Sequence, residues 1–379
     1  MGLAACAVVD PETEQSARQG PESSARPPVT IDMGPMDAEI DARLPSDPVE
    51  IELIPQVPFA DGRASVEFDV PPGMRSVTLS ADGPPSTLMV FEHIEDGAGR
   101  VWVSAEPGPI DDADRAALAF PGPFLSPNRV VWGDSVATAL LPNNPAVEPE
   151  AGRWRAVLAA DPPPDAPADI YVQIERGPTL PRGRLDLHFH FTDVVGWQAA
   201  DVELDAEFRR MLNVVTVLLR EVDIELGAVT YTDVPVSAFN ISVQVELPRL
   251  LALSTHATGL SVFVVGRIED ALGGPLAGIS GAVPTSNGLP GSGANGIAIA
   301  RALADGRTLG ATLAHEIGHA LGLHHTVEAN PAYGDQLDDT PVGEASRDNV
   351  MYPTAGREAR RFSPQQGRVM RLGRAVDRP

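Results

Sequence analysis

The side chains best placed to do chemistry in this chain fall in one run: His315-Glu316-Ile317-Gly318-His319-Ala320-Leu321-Gly322-Leu323-His324-His325. His315 and His319 are one helical turn apart. On an α-helix both project from the same face, about 6 Å apart, and can reach one ion. Imidazole nitrogen binds Zn2+ at about 2.0 Å. A helix continued past Gly322 would carry the later histidines away. Glycine accepts a left-handed conformation at no steric cost, so the chain can stop there, turn back and bring His325 to the same ion. Three neutral imidazoles leave a fourth position for water, whose pKa zinc lowers toward about 7. Glu316, beside the first ligand, is placed to take the proton from that water rather than to bind the ion. His324 is expected to be a solvent-facing neighbour.

These side chains need a rigid support. Leu309, Leu313, Ile317, Ala320 and Leu321 recur at helical spacing, so the spacing predicts a buried helix that carries His315 and His319. Upstream, Leu185, Leu187, Phe189 and Phe191 alternate with Asp186, His188 and His190, which predicts a strand with one apolar and one polar face. His188 and His190 are read as part of that polar face. A helix follows over about 201–221, with Val202, Phe208, Met211, Leu212, Val215, Leu218 and Leu219 on one stripe. Residues 227–231 and 260–265 read as further strands, followed by a glycine-rich stretch at 276–284, a flexible loop and the run 296–300. Ser363-Pro364 opens a C-terminal helix that turns Val369, Met370 and Leu372 inward.

The pattern H-E-x-x-H-x-x-G-x-x-H, carried by His315, Glu316, His319, Gly322 and His325, resembles the metzincin signature. The resemblance covers roughly residues 184–379. It implies a zinc-dependent endopeptidase with one catalytic Zn2+, and a methionine turn beneath the metal, which Met351 in Asn349-Val350-Met351-Tyr352-Pro353 fits. Met351-Tyr352-Pro353 is similar to the matrixin form of that turn. Gly334-Asp335-Gln336-Leu337-Asp338-Asp339-Thr340-Pro341 looks more like the pappalysin insertion. The resemblance also implies a rim strand that takes an extended protein or peptide substrate antiparallel, here Gly278, Ile279, Ser280 and Gly281, with the segment after Met351 walling a specificity pocket. The chain departs from the family in three ways. Pappalysin disulfides cannot form, Cys6 lies in no cysteine-switch motif, and Tyr352 is one place too early to be an astacin-type ligand. Asp335, Asp338 and Asp339 could hold Ca2+ in addition, because hard cations take carboxylate oxygens.

The remainder reads as support. Residues 46–180 show short alternating runs broken by Pro and Gly, including 65–70, 76–79, 87–91, 100–103, 153–158 and 169–174. They predict an all-β sandwich, loosely jelly-roll-like. His93 stands alone there and is read as structural. Residues 177–183 read as a linker, and no internal repeat is visible. The expected fold is therefore multidomain. Residues 1–45 form a tether, 46–180 the sandwich, and 181–379 an α+β metzincin-like zinc peptidase domain with a twisted mixed sheet, active-site helix and C-terminal helix.

The 379 residues carry 28 basic and 52 acidic groups, a net charge of −24, and every cation is arginine. With no basic run, nucleic acid is excluded as the main partner. One cysteine excludes a disulfide scaffold and thiolate zinc sites. No apolar run is long enough for a spanning helix. That cysteine ends Leu3-Ala4-Ala5-Cys6, which resembles the close of a bacterial lipoprotein signal, although few residues precede it. The resemblance implies a lipid anchor on Cys6, and an exported protein at the outer membrane or cell surface, or secreted, and expected to be a monomer. The acidic, proline-bearing stretch after it would be the tether. A different class also fits: a surface lipoprotein whose sandwich binds a protein or glycan, with the zinc domain structural or weakly active. Glu316 separates the two, since a purely ligating site has no use for a carboxylate there.

Overall fold

A computed structural model describes residues 5–6, 49–104, 119–120, 127–193, 196–327, 334–341, 343–354 and 359–378. The expected tether after Cys6 lies outside them. Strands β1 (Val49–Val57), β2 (Arg63–Val70), β3 (Met74–Asp82), β4 (Leu88–Glu95), β5 (Val101–Ser104), β6 (Val136–Leu141), β7 (Gly152–Asp161) and β8 (Ala168–Arg176) make two antiparallel sheets. One runs β6-β3-β8-β1 and the other β2-β7-β4-β5, with Gly133–Asp134 added beside β4. The six alternating runs read from the sequence fall on β2, β3, β4, β5, β7 and β8. In β2, Ala64, Val66, Phe68 and Val70 are buried and the residues between them exposed, the period of two expected of a half-buried strand. One apolar core, including Phe68, Leu79, Phe91, Trp102, Trp154 and Val172, joins both sheets. At the end of β6 the alternation is put to a second use: Leu141 enters this core, while Leu140 enters the core of the following unit.

That unit is built on β9 (Gly183–Thr192), α1 (Ala206–Arg220), β10 (Ile224–Val234), α2 (Glu246–Leu251), β11 (Leu260–Val265), β12 (Gly278–Ser280), β13 (Ile297–Ala300), α3 (Gly306–Ala320), α4 (Pro364–Met370) and β14 (Val376–Asp377). The sheet order from the rim inward is β12-β13-β11-β9-β10, and β14 pairs with the start of β9. β10, β9, β11 and β13 are parallel, and β12 runs antiparallel to β13. On the outer side of β12 the pair Ala5–Cys6 adds antiparallel, with Ala5 opposite Ile279 and Cys6 opposite Gly278.

Leu185, Leu187, Phe189 and Phe191 pack against α1 and α3 in the main core. The other face of β9 is not the polar surface that alternation suggests. Parallel strands need crossovers on both faces, so both become buried. Here α2 and the loop after it cover the second face, and His188 and His190 are each 4% exposed. His188 accepts from Thr230 Oγ1 at Nδ1 (2.8 Å) and donates from Nε2 to the Thr258 carbonyl (3.0 Å). His256 stacks on His188 at 3.6 Å, and His190 stacks on Phe263 at 4.5 Å.

The helix expected over 201–221 starts later and splits. Val202–Leu204 is a separate 3-10 turn, and Asp205 caps α1 by accepting from the Glu207 and Phe208 amides (2.8 and 2.9 Å). α3 is buried on all sides except at Arg307, as a helix held between α1 and the sheet must be. α4 begins with Ser363 as N-cap, Pro364 at the first turn and Gln366 closing a capping box.

Candidate metal centre

α3 places His315 and His319 one above the other. Its end is a Schellman motif: the Leu323 amide donates to Gly318 O and the Gly322 amide to His319 O, each at 2.9 Å. Gly322 sits at φ +95°, where a side chain would be strained, and that turn redirects the chain. The turn also delivers the Leu323 carbonyl to His319 Nδ1 (2.7 Å). His315 Nδ1 donates to the Val350 carbonyl (2.6 Å). With each Nδ1–H spent on a backbone carbonyl, each Nε2 keeps its lone pair for a metal.

His325 joins them from beyond the helix. Its Nε2 lies 3.1 Å from His319 Nε2. The three rings meet with centroids 4.6, 4.7 and 5.2 Å apart, and their ligand nitrogens lie within 4.8 Å of one another. All three are buried. Burial, then His315 and His325, hold His319 well below the ordinary histidine pKa, so its ring stays neutral, the form that ligates. This group could hold a metal ion, and three imidazole donors suit zinc.

Glu316 is fully buried, and neither carboxylate oxygen has a hydrogen-bond partner. Burial pushes its pKa well up. The Ser280 amide opposes this from a position short of hydrogen-bond geometry. The strand β12 passes directly over this carboxylate. A Cβ on Gly278 would stand 2.8 Å from Glu316 Cγ and 3.1 Å from Oε1. Of the rim residues read from the sequence, Gly278, Ile279 and Ser280 form β12. Gly281 lies just past it, its amide donating to Gly296 O (2.9 Å).

Met351 is fully buried beneath the histidine helix. A side chain on Gly318 would collide with its sulfur, so the absent Cβ is what lets the thioether sit there. Asn349 Oδ1 accepts the Met351 amide (2.8 Å), and Asn349 is in turn held by Gln366 (3.0 Å).

No family model matches the chain, and no curated protein matches it. Among solved structures it is similar to metalloproteinase-II from Bacteroides fragilis, at 13% identity and a TM-score of 0.32, over 55% of this chain and 63% of that one. It is also similar to a family two carbohydrate esterase from Clostridium thermocellum, at 8% identity and a TM-score of 0.14, over 56% and 61%. At these TM-scores the likenesses carry no argument, and the chain spans less than two thirds of either protein.

The three acidic residues read from the sequence stand in different settings. Asp335 accepts from Thr340 Oγ1 (2.5 Å) and the Leu337 amide (3.3 Å), and burial raises its pKa to about 6. Asp339 accepts from Ser363 Oγ (2.7 Å) and the Gln365 amide (2.9 Å), while Asp338 is exposed. Among the described residues the three histidines form the one group of three or more His, Cys, Asp or Glu side chains close enough to hold a metal. His324 is not solvent-facing: it is 6% exposed and meets the other unit. Sequence reasoning missed its contacts, Arg129 and Asn143, because no local pattern marks a partner so distant in the chain.

Proposed function

We propose that the protein is an exported zinc-dependent endopeptidase of the metzincin type, in which His315, His319 and His325 hold the metal and Glu316 is the general base. One observation carries this reading: a fully buried carboxylate without a hydrogen-bond partner, beside three converging imidazoles and under strand β12. In a site built only to hold the fold together, such a carboxylate would be pure desolvation cost. When bound, zinc supplies Lewis acidity that lowers the pKa of water and draws charge from a carbonyl. Glu316 takes one proton from the attacking water as its oxygen bonds to the scissile carbon. It gives that proton to the amine nitrogen as the C–N bond breaks, leaving an acid and an amine. Once Ala5–Cys6 leaves its outer side, β12 offers backbone amides and carbonyls along which an extended peptide pairs antiparallel.

The purified protein is expected to cleave casein. Glu316→Gln is expected to keep zinc and lose cleavage by about 10²-fold or more. Equal turnover in that variant would refute the assigned base. Cys6 is proposed as the lipid attachment point. Mass spectrometry of membrane-extracted protein should find it modified, and an unmodified Cys6 in the native product removes the anchor.

A further inference from the structure

We propose that the N-terminal two-sheet unit completes the metal centre, with Arg129 and Asn143 as positioning residues for His325. This rests on reading His315, His319 and His325 as the ligand set.

The first two ligands are fixed by α3. His325 stands on irregular chain beyond the helix end, and what holds its neighbours bears on its place. On one side, the Thr326 amide donates to Met351 O (3.0 Å) and its hydroxyl to Ser346 Oγ (2.9 Å), both within the same unit. On the other side the anchor comes from the N-terminal unit. His324 Nε2 lies 3.2 Å from the Arg129 carbonyl oxygen and donates to it. That oxygen also accepts Asn143 Nδ2 (2.6 Å). The 3.4 Å approach of Asn143 Nδ2 to His324 Nε2 is then donor against donor, and contributes packing only. Asn143 brackets the Arg129 residue from both ends, since its Oδ1 accepts the Arg129 amide (3.1 Å). Its own amide is held by Asn128 Oδ1 (2.7 Å).

Three more contacts reach the same stretch. Leu140 packs against Gly322, where a Cβ would stand 2.5 Å from Leu140 Cδ2. Arg129 Nη1 donates to the Gly334 carbonyl (2.6 Å), and Asn144 Nδ2 to the Gln336 carbonyl (2.9 Å). Gly322 and His324 precede the third ligand, and Gly334 and Gln336 follow it. The N-terminal unit therefore grips the chain on both sides of His325 in sequence. Hydrogen bonds of this outer layer orient ligands and set metal affinity.

The test measures zinc affinity of the full chain by chelator competition, and the visible spectrum of the Co2+-loaded protein. His324→Phe and Asn143→Ala are expected to weaken zinc by about 10–100-fold and to alter the cobalt bands. His324→Gln, whose amide can still donate, is expected to recover most of the affinity. Ser76→Ala is the control. It removes a hydrogen bond between the same two units, to Leu372 O (2.8 Å), away from the metal loop, and should leave zinc affinity unchanged. Wild-type affinity and spectrum in His324→Phe overturn the proposal, as does an equal loss in Ser76→Ala. Should the first two variants not fold, Arg129→Met releases Gly334 while keeping the carbonyl, and unchanged zinc affinity there overturns it too. A wild-type chain that binds no zinc refutes the ligand set itself, whereas tight zinc in every variant refutes only the positioning.

Discussion

Acid should unfold this protein through His190. The ring is buried, both nitrogens lack a hydrogen-bond partner, and its pKa is lowered to about 3 by burial, then by His256 and His188. In the unfolded chain the same ring titrates near 6.5. A depressed histidine pKa means the folded state refuses a proton that the unfolded state accepts. The contribution is therefore complete above pH 6.5 and is lost as pH falls from 6.5 toward 3. At pH 4.5, two units below the unfolded value, the loss is about 2.7 kcal/mol, at roughly 1.36 kcal/mol per unit. His190→Phe keeps a ring against Phe263 and removes the titration. Other groups titrate over the same interval, so the quantity to measure is the difference between wild type and variant. Urea unfolding of both at pH 7.5 and 4.5 should show the wild type losing about 2.7 kcal/mol more than the variant. Parallel losses would mean that His190 charges in place, and would refute the argument from burial.

Gly318→Ala drives a methyl group into Met351 Sδ and should cost about 1–3 kcal/mol in urea unfolding. A variant as stable as wild type would show that the sulfur is not fixed under the helix. Leu140→Ala should cost about 2–5 kcal/mol, and the wild type should melt in one transition by calorimetry, because Leu140 ties the N-terminal strands into the second core. Two separated transitions in the wild type would contradict the shared core. Millimolar Ca2+ should leave the Tm of the zinc-loaded protein unchanged, since Asp335 and Asp339 are committed to hydrogen bonds. A clear rise would support the calcium reading.

The site was most legible where chemistry repeats at helical spacing. His315 and His319 at one turn, with Gly322 ending the helix, place two of the three histidines without any tertiary information. The start of α1 was also written locally: Asp205 ahead of Glu207 and Phe208 is a cap signal, and Val202 drew the boundary outward only because it fits the apolar stripe. His188 and His190 were misread for a different reason. Alternation tells which residues share a face, and nothing in β9 tells that α2 and His256 will cover that face. His324 shows the same limit more sharply, because its environment is set by Arg129, which lies almost two hundred positions away. The pairing of Ala5–Cys6 with β12 leaves no periodic trace in so short a segment.

That last pairing has a consequence for solubility. A bare edge strand presents unsatisfied amides and carbonyls to any extended chain, and this is as good a template for aggregation as for peptide capture. β12 is only three residues long, and Ala5–Cys6 closes its outer side at Ile279 and Gly278. If β12 takes a peptide, whatever frees this edge also exposes it to a second copy of the protein, so access to β12 and resistance to self-association trade against each other at the same few backbone groups.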